Sequence, residues 1–392
     1  MWAFYRKFFV WEQRKLGDIA KRIVRKNKNL KSTLVLTISA QYGLVDQKKF
    51  FNKNIAGKNI AKYYLIEKGE FAYNKSYSKG HPLGVIKRLD YYDVGILSTL
   101  YIIFKPENIN SNFLSAYYDT KCWYKEVTKY AAEGARNHGL LNIPTQDFFK
   151  TELIITTNNK EQQRIGNIIK IVNKILDLQE RKYEELKLLK KALMQNMFAN
   201  KSLYPKLRFK GFTDKWKQEK LNSIASLLNG RAYKRNELLN SGKYPVLRVG
   251  NFYTNDKWYF SNLELKTNKY AIKGDLLYTW SATFGPHIWT GKKVIYHYHI
   301  WKIILKNNVD KFFVYEFLKE DRDQLLRNTN GSTMIHITKS NMENKYISLP
   351  NKKGQKKIGN FFKKFDNLII AQNKKYNELK FIKKFLLQNM FI

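Results

Sequence analysis

The chain has one cysteine among its 392 residues, Cys122. A lone cysteine excludes a disulfide framework and a cysteine-based metal site. Long apolar runs are missing too. The longest mostly apolar stretch, Leu97 to Phe104, is far shorter than the ~20 residues of a membrane span. The first residues lack the basic, then apolar, then small-residue order of a secretion signal. A cytoplasmic protein with no membrane association is expected. Acidic residues are scarce: 32 Asp and Glu face 72 Lys and Arg, a formal net charge of +40. Self-repulsion of that size calls for a polyanionic partner, and nucleic acid is the simplest one. The basic residues are spread through the chain among Tyr, Phe and Trp, and 44% of residues are hydrophobic, so they are not a disordered tail.

Catalytic signatures are also lacking. Gly285 and Gly291-Lys292 have the wrong spacing for a phosphate loop, and Lys293 stands where Ser or Thr is needed. No GxGxxG follows a strand pattern, and no Asn/Asp-Pro-Pro-aromatic segment of an amino-methyltransferase occurs. Glu264-Leu265-Lys266 below Asp256 has nuclease-like spacing, but Glu-x-Lys recurs by chance at Glu185 and Glu378. His297 and His299 would share a strand face near His287, without carboxylate or cysteine partners of suitable spacing for a metal. No catalytic residue and no metal ligand is assigned.

What the chain does contain is a repeat. Glu161 to Phe198 is rewritten as Gly354 to Phe391, and from Ile165/Ile358 onward 17 of 34 aligned positions are identical at an offset of 193. The apolar positions step by three and four, the spacing of a coiled-coil seam. The seam reads Ile165, Ile168, Val172, Ile175, Gln179, Lys182, Leu186 and Leu189 in the first copy. In the second it reads Ile358, Phe361, Phe365, Leu368, Gln372, Lys375, Leu379 and Ile382. Shared polar interruptions suit helices that pack on each other; two unconnected amphipathic helices are the alternative. Asn158 with Glu161 has capping-box spacing for the first helix.

Each half also opens alike: Trp11 to Ala20 matches Trp216 to Ala225 at an offset of 205. Between these flanks the halves diverge. Leu34–Leu36, Leu100–Phe104, Tyr244–Val249 and Ile300–Leu305 read as strands, and 112–130 and 310–327 as helices. The expected fold class is α/β (α+β): two globular domains separated by two long helices forming an antiparallel coiled coil, with a pseudo-two-fold internal repeat. The expected boundaries are 1–157 and 199–350 for the globular domains (the second with a linker at 199–215), and 158–198 and 351–392 for the helices.

For a DNA-reading role the useful groups are planar donors and aromatics on loops, with Arg suiting guanine and Asn or Gln suiting adenine. The first interior offers Arg22, Arg25, Lys26, Gln41, Tyr42, Asn74, Lys75, Tyr77, Arg136 and Asn137. The second offers Arg231, Tyr233, Lys234, Arg235, Arg248, Asn251, Trp280, Ser281 and Thr283.

The opener WEQRKL, its counterpart LRFKGFTDKWKQEKL, the helix ends KKALMQNMF and KKFLLQNMF, and the segments TISAQYGLVDQ and KGEFAYNKSYSK together resemble the specificity subunit of a type I restriction–modification system. The resemblance spans nearly the whole chain. It departs in the lead-in before Trp11 and at Thr156-Thr157, where the second half has Leu349-Pro350. It implies a non-catalytic subunit of a DNA adenine methyltransferase and restriction endonuclease complex. Each divergent interior would be a target-recognition domain reading one half of a bipartite sequence in double-stranded DNA. The coiled coil would set the spacer and dock two modification subunits, which restriction subunits join. S-adenosylmethionine, ATP and Mg would bind those partners and not this chain. A self-contained methylating or restricting enzyme and a basic scaffold without sequence preference are the two rival classes.

Overall fold

The computed structural model describes residues 10–53, 57, 59–78, 80–131, 136–137, 140–199, 203–253, 255–281, 283–306, 308–328 and 337–392. The chain forms two compact units: unit 1 holds 1–180 and 374–392, unit 2 holds 181–373. Four helices matter most: α1 (Ser111–Tyr118), α2 (Asn159–Met197), α3 (Lys311–Asn328) and α4 (Lys352–Met390). The helix expected over 112–130 is two, with a break before Tyr124–Tyr130. Side chains stop it there: the Thr120 hydroxyl donates to the Tyr117 carbonyl (2.6 Å) and accepts the Cys122 amide (3.1 Å).

Each unit has a main four-stranded antiparallel sheet, and unit 2 has a second four-stranded sheet of mixed direction. In unit 1, β1 is Trp11–Lys15, β2 Ala20–Ile23, β3 Leu36–Ser39, β4 Gly43–Asp46, β5 Tyr64–Glu67 and β6 Phe71–Asn74. β7 is Val85–Arg88, β8 Val94–Leu97, β9 Ile102–Pro106, β10 Arg136–Asn137, β11 Leu140–Leu141 and β12 Glu152–Thr156. The main sheet has the order β2-β9-β6-β7, and β1 pairs with β12 beside it. In unit 2, β13 is Lys217–Lys220, β14 Ala225–Asn229, β15 Tyr244–Leu247, β16 Tyr259–Ser261 and β17 Tyr270–Ala271. β18 is Leu276–Thr279, β19 Gly285–Ile288, β20 Val294–Tyr296, β21 Ile300–Leu305 and β22 Tyr346–Leu349. Its main sheet, β14-β21-β18-β19, repeats the first, and β13 with β22 repeats β1 with β12. The duplication read from the flanks therefore extends through the diverged interiors.

Both main sheets are covered on both faces, which is why their strands read as continuous apolar runs. Side chains alternate along a strand. Phe71, Tyr73, Ile102 and Phe104 enter the core that contains α1, while Ala72 and Ile103 enter a second core with Leu36, Leu44 and Leu97. Unit 2 divides Leu276, Tyr278 and Trp301 from Leu277 and Ile300 in the same way.

The long helices join these cores by a repeated joint. The Gln162 side chain accepts the Asn110 amide (2.8 Å) just before α1 and donates to the Thr156 carbonyl (2.8 Å). Gln355 does the same with Asp310 (2.9 Å) and Pro350 (3.0 Å). One turn on, Gly166 lets α2 lie against the first turn of α1: a Cβ there would sit 2.5 Å from the Phe113 nitrogen. Gly359 repeats the contact at 2.7 Å from the Phe313 nitrogen. The far ends are also anchored. Phe391, just past α4, packs on Phe113 at 5.3 Å between ring centres, and Phe198, just past α2, packs on Phe313 at 5.3 Å. Within each unit, then, the start of one long helix lies beside the end of the other, an antiparallel pairing. Asn158 caps α2 by accepting the Lys160 and Glu161 amides (2.9 and 3.2 Å), but the Glu161 carboxylate turns to Thr156 instead of closing the box.

The seam is corrected at every second position. Ile165, Val172, Gln179 and Leu186 are buried or half-buried, as are Ile358, Phe365, Gln372 and Leu379. Ile168, Ile175, Lys182, Leu189, Leu368, Lys375 and Ile382 are exposed, and Phe361 is only half-buried. The positions turned inward are one residue later: Ile169, Leu176, Lys190 and Phe362 are buried, and Tyr183, Ile369, Tyr376 and Lys383 half-buried. Doubled apolar residues such as Ile168-Ile169 and Phe361-Phe362 satisfy either heptad phase, so spacing alone does not choose. At 189 and 190 apolarity misleads outright. Leucine faces solvent and lysine is buried, because lysine finds carboxylates there.

Candidate nucleic-acid interface

In unit 1 a cleft of about 1860 Å³ opens between the strands β3, β4, β6 and β7 and the helix pair. The β3–β4 turn places Gln41 and Tyr42 on it, and the β6–β7 connection places Asn74 and Tyr77 on it. That connection is shaped at both ends. The Asn74 carboxamide accepts the Ser76 amide (3.0 Å), and Gly84 takes φ +84° where a Cβ would collide with the Asn74 carbonyl. Tyr77 is 60% and Tyr42 47% exposed. The Gln41 amide donates to Glu180 (2.8 Å).

The other wall carries cations that sequence reading passed over. Lys170 and Lys174 come from α2, and Lys380 and Lys384 from α4, facing Lys87, Arg88 and Lys121, while Lys383 of α4 is bound to Asp119 (2.7 Å). Read singly they are the solvated face of a helix; only the fold turns them toward these strands. Burial pushes Asp119 up, but Lys87 and Lys383 outweigh it and hold its pKa at about 2. Burial lowers the pKa of His81, and Lys87 and Lys121 lower it further against the opposing pull of Asp119.

The remaining unit 1 candidates are placed elsewhere. Arg22 is exposed on β2. Arg25 is held by the buried Glu70 through two contacts of 3.0 and 2.9 Å. Lys26 donates to the Lys62 carbonyl (3.1 Å) and lies 3.9 Å over the Tyr64 ring. Lys75 is turned to the Ile143 carbonyl, and burial lowers its pKa. Arg136 and Asn137 form β10, but their side chains lie outside the described residues.

In unit 2 the hub is the run His297-Tyr298-His299 between β20 and β21. Arg231 bridges to it through the backbone, its amide donating to the Tyr296 carbonyl (3.0 Å). Tyr233 stacks on His297 with ring centres 6.4 Å apart. Trp280 meets His299 edge-on at 4.8 Å and donates its indole N–H to the Tyr298 carbonyl (2.9 Å). Burial, His299 and Arg248 lower the pKa of His297 to about 4. Among the described residues no group of three or more His, Cys, Asp or Glu side chains could hold a metal ion. His287 lies apart, stacked on Phe252 at 4.0 Å.

Several unit 2 candidates have internal duties. The Arg231 guanidinium pairs with Glu237 through two bonds of 3.1 and 2.8 Å. Asn251 accepts the Arg248 amide (3.0 Å) and donates to the carbonyls of Asn255 and Lys257. Arg248 lies 4.3 Å over the Tyr259 ring, yet its Nε, like the Tyr233 hydroxyl, is buried without a hydrogen-bond partner. Lys234, Arg235 and Thr283 are exposed and Ser281 half-buried. Arg248 also donates through a terminal nitrogen to the Lys257 carbonyl (3.2 Å), which leaves the Arg248 Nε, the Tyr233 hydroxyl and the exposed Lys234 and Arg235 as the remaining donors of this face. Proximity to a histidine run was the signal that could have singled out the first two.

Comparison with known proteins adds an independent line. Residues 213–380 match the family model of the type I restriction modification DNA specificity domain. The specificity subunit of the type I restriction enzyme MjaVIII of Methanocaldococcus jannaschii is 33% identical over 128 residues, which span 32% of this chain and 30% of that subunit. The putative MjaX specificity subunit of the same organism is 25% identical, covering 95% of this chain and 91% of its own length. Among solved structures, the S subunit of a type I restriction–modification system from M. genitalium superposes with a TM-score of 0.61 at 14% identity, over 98% of this chain and 97% of that one. A chain from a structure on assembly and conformational transition of the type I R-M system gives 0.56 at 16% identity, over 97% of each chain. The duplicated sheet, the repeated helix joint and these likenesses agree: residues 213–380 match a type I restriction modification DNA specificity domain, and the chain is similar along nearly its whole length to type I restriction–modification specificity subunits.

Proposed function

We propose that this chain is the non-catalytic, sequence-reading subunit of a DNA adenine methyltransferase and restriction complex in the cytoplasm. Each unit reads one half of a bipartite duplex target. Unit 1 uses the cleft with Gln41, Tyr42, Asn74 and Tyr77 over a lysine-lined wall; unit 2 uses the face of Arg248, Tyr233, Lys234 and Arg235. Lysines that line a groove position phosphates, while planar donors and aromatics at loop tips read bases. S-adenosylmethionine, ATP and Mg belong to the partner subunits.

The observation that carries this reading is duplication of the whole apparatus. The same sheet, the same joint and the same exposed apolar positions occur twice. Ile175 and Leu368, Leu188 and Phe381, and Leu189 and Ile382 are equivalent residues of the two long helices, and all six are between 36% and 71% exposed. Exposed apolar patches mark interaction surfaces. One patch per helix suits two copies of one partner, the modification subunit.

The test is adenine methylation across a genome when the chain is co-expressed with its modification subunit. A bipartite methylated motif that disappears without this chain is the expected result. A soluble complex that methylates nothing, with equal binding to scrambled duplex, would favour the scaffold class. Leu189→Glu with Ile382→Glu is expected to release the modification subunit in gel filtration while duplex binding persists.

A further inference from the structure

We infer that Lys190 and Lys383, the equivalent lysines of the two repeated helix ends, are positioning residues that fix the angle at which each recognition domain sits on the helix pair. They thereby determine which spacer between half-sites the complex accepts. The inference rests on the bipartite reading above.

In unit 1 the Lys383 ammonium lies 2.7 Å from Asp119, the residue that ends α1. In unit 2 the Lys190 ammonium lies 3.0 Å from Glu316 of α3 and 2.6 Å from Asp366 of α4. Lys190 is 8% and Glu316 2% exposed, so this is an interior contact.

Beside the ring packing of Phe391 on Phe113 and of Phe198 on Phe313, the joint has two polar points. The first turn of α1 is fixed to α2 by Gln162 and Gly166, and its end is fixed to α4 by Lys383. In unit 2 the roles of the long helices exchange: α3 starts on α4 through Gln355 and Gly359, and Lys190 of α2 holds it further along. One point alone is a hinge; two points on different helices define an angle. The lysine thus always comes from the helix that the glycine does not use.

The acids argue that the contact itself is what is kept. Alignment on Phe113 and Phe313, the residues that meet Gly166 and Gly359, puts Asp119 opposite Lys319 and Glu316 opposite Ala116. The lysine is the same in both units, whereas its acid sits one turn away. A contact merely inherited with the duplication would use matching positions.

Each acid also has a second cation from its own domain: Lys87 at 2.5 Å from Asp119, and Lys319 at 3.6 Å from Glu316. Removing the helix lysine therefore leaves no unpaired buried carboxylate. The domain stays folded and keeps its contact with Phe391, losing only the ion pair to α4, which makes Lys383→Met a clean probe.

The complex with the modification subunit is assayed on duplexes carrying the chain's own half-sites at the native spacer and at one base pair more or less. Lys383→Met is expected to keep the half-sites and raise methylation at the wrong spacers relative to the native one by about tenfold, the middle of the range for coupled buried groups. Lys383→Arg is expected to restore discrimination. Unchanged discrimination in Lys383→Met, or an equal loss at all spacers, overturns the inference. If wild type methylates no bipartite motif, the reading of function fails by itself. The lock is then decided in the free chain, with spin labels at Lys105→Cys and Lys170→Cys in a Cys122→Ser background. Lys383→Met is expected to broaden their distance distribution, and an unchanged distribution overturns the lock whatever the DNA result.

Discussion

Gly166→Ala sets two effects of opposite sign against each other. In an exposed helix interior, alanine for glycine gains about 1 kcal/mol of helix propensity. Here the new methyl would lie 2.5 Å from the Phe113 nitrogen and 2.8 Å from the Asn112 carbonyl carbon. Both are backbone atoms of the first turn of α1, and no rotamer change moves them. Relief requires α1 and α2 to separate by about 1 Å at a point where side chains interlock, and such overpacking costs about 1–3 kcal/mol. Separation also stretches the 2.8 Å bond from the Asn110 amide to Gln162, worth about 1 kcal/mol. The gain roughly cancels the hydrogen bond, so a net loss of about 1–3 kcal/mol remains.

For a unit of this size each kcal/mol lowers the melting temperature by about 2–4 °C. The assay is a thermal melt of the full chain with hydrogen exchange resolved by peptide. Gly166→Ala should speed exchange in 111–118 and spare 311–328; Gly359→Ala should do the reverse. A raised melting temperature in either variant would mean that propensity wins, and would refute the argument that the glycines exist for close approach.

Three further outcomes follow from the same geometry. Burial and Arg322 lower the pKa of His287 to about 4, so the folded state holds it neutral while the unfolded chain, with a value near 6.5, takes up a proton first. Stability should be complete above about pH 6.5, fall as pH drops toward 4 and level off below, by on the order of 3 kcal/mol, with a flatter profile for His287→Asn in urea melts at pH 7 and 5. Duplex affinity should fall steeply with salt, and Lys170→Ala, Lys174→Ala and Lys384→Ala should each reduce the log–log slope by about 1; slopes that do not move would exclude these lysines from phosphate contact. Inserting one heptad into both long helices adds about 10.5 Å to each and should change the methylated motif's spacer and leave its half-sites alone; an unchanged spacer would remove the helices from that role.

The repeat made the architecture legible, and the reason lies in which residues the two copies share. Gln162 and Gln355, Gly166 and Gly359, Lys190 and Lys383, Phe198 and Phe391 are identical pairs, and each touches the helix that begins a recognition core or its immediate flank. None of them is an exposed apolar residue of the heptad pattern. Reading the pattern for hydrophobicity therefore put Leu189 in the seam and left Lys190 out, since period alone cannot see a carboxylate on another element. The same limit governs the reading loops. Arg25, Asn251 and Arg248 look alike as polar loop residues, yet Glu70 holds the first, the backbone of its own loop holds the second, and the third keeps an unspent donor. What distinguishes them is partners distant in sequence. Identity between the copies marks the joint, which must close the same way twice. Under the proposed function the interiors are free to differ because each closes over a different half-site, and loop chemistry that varies on a constant joint would let one scaffold acquire new targets.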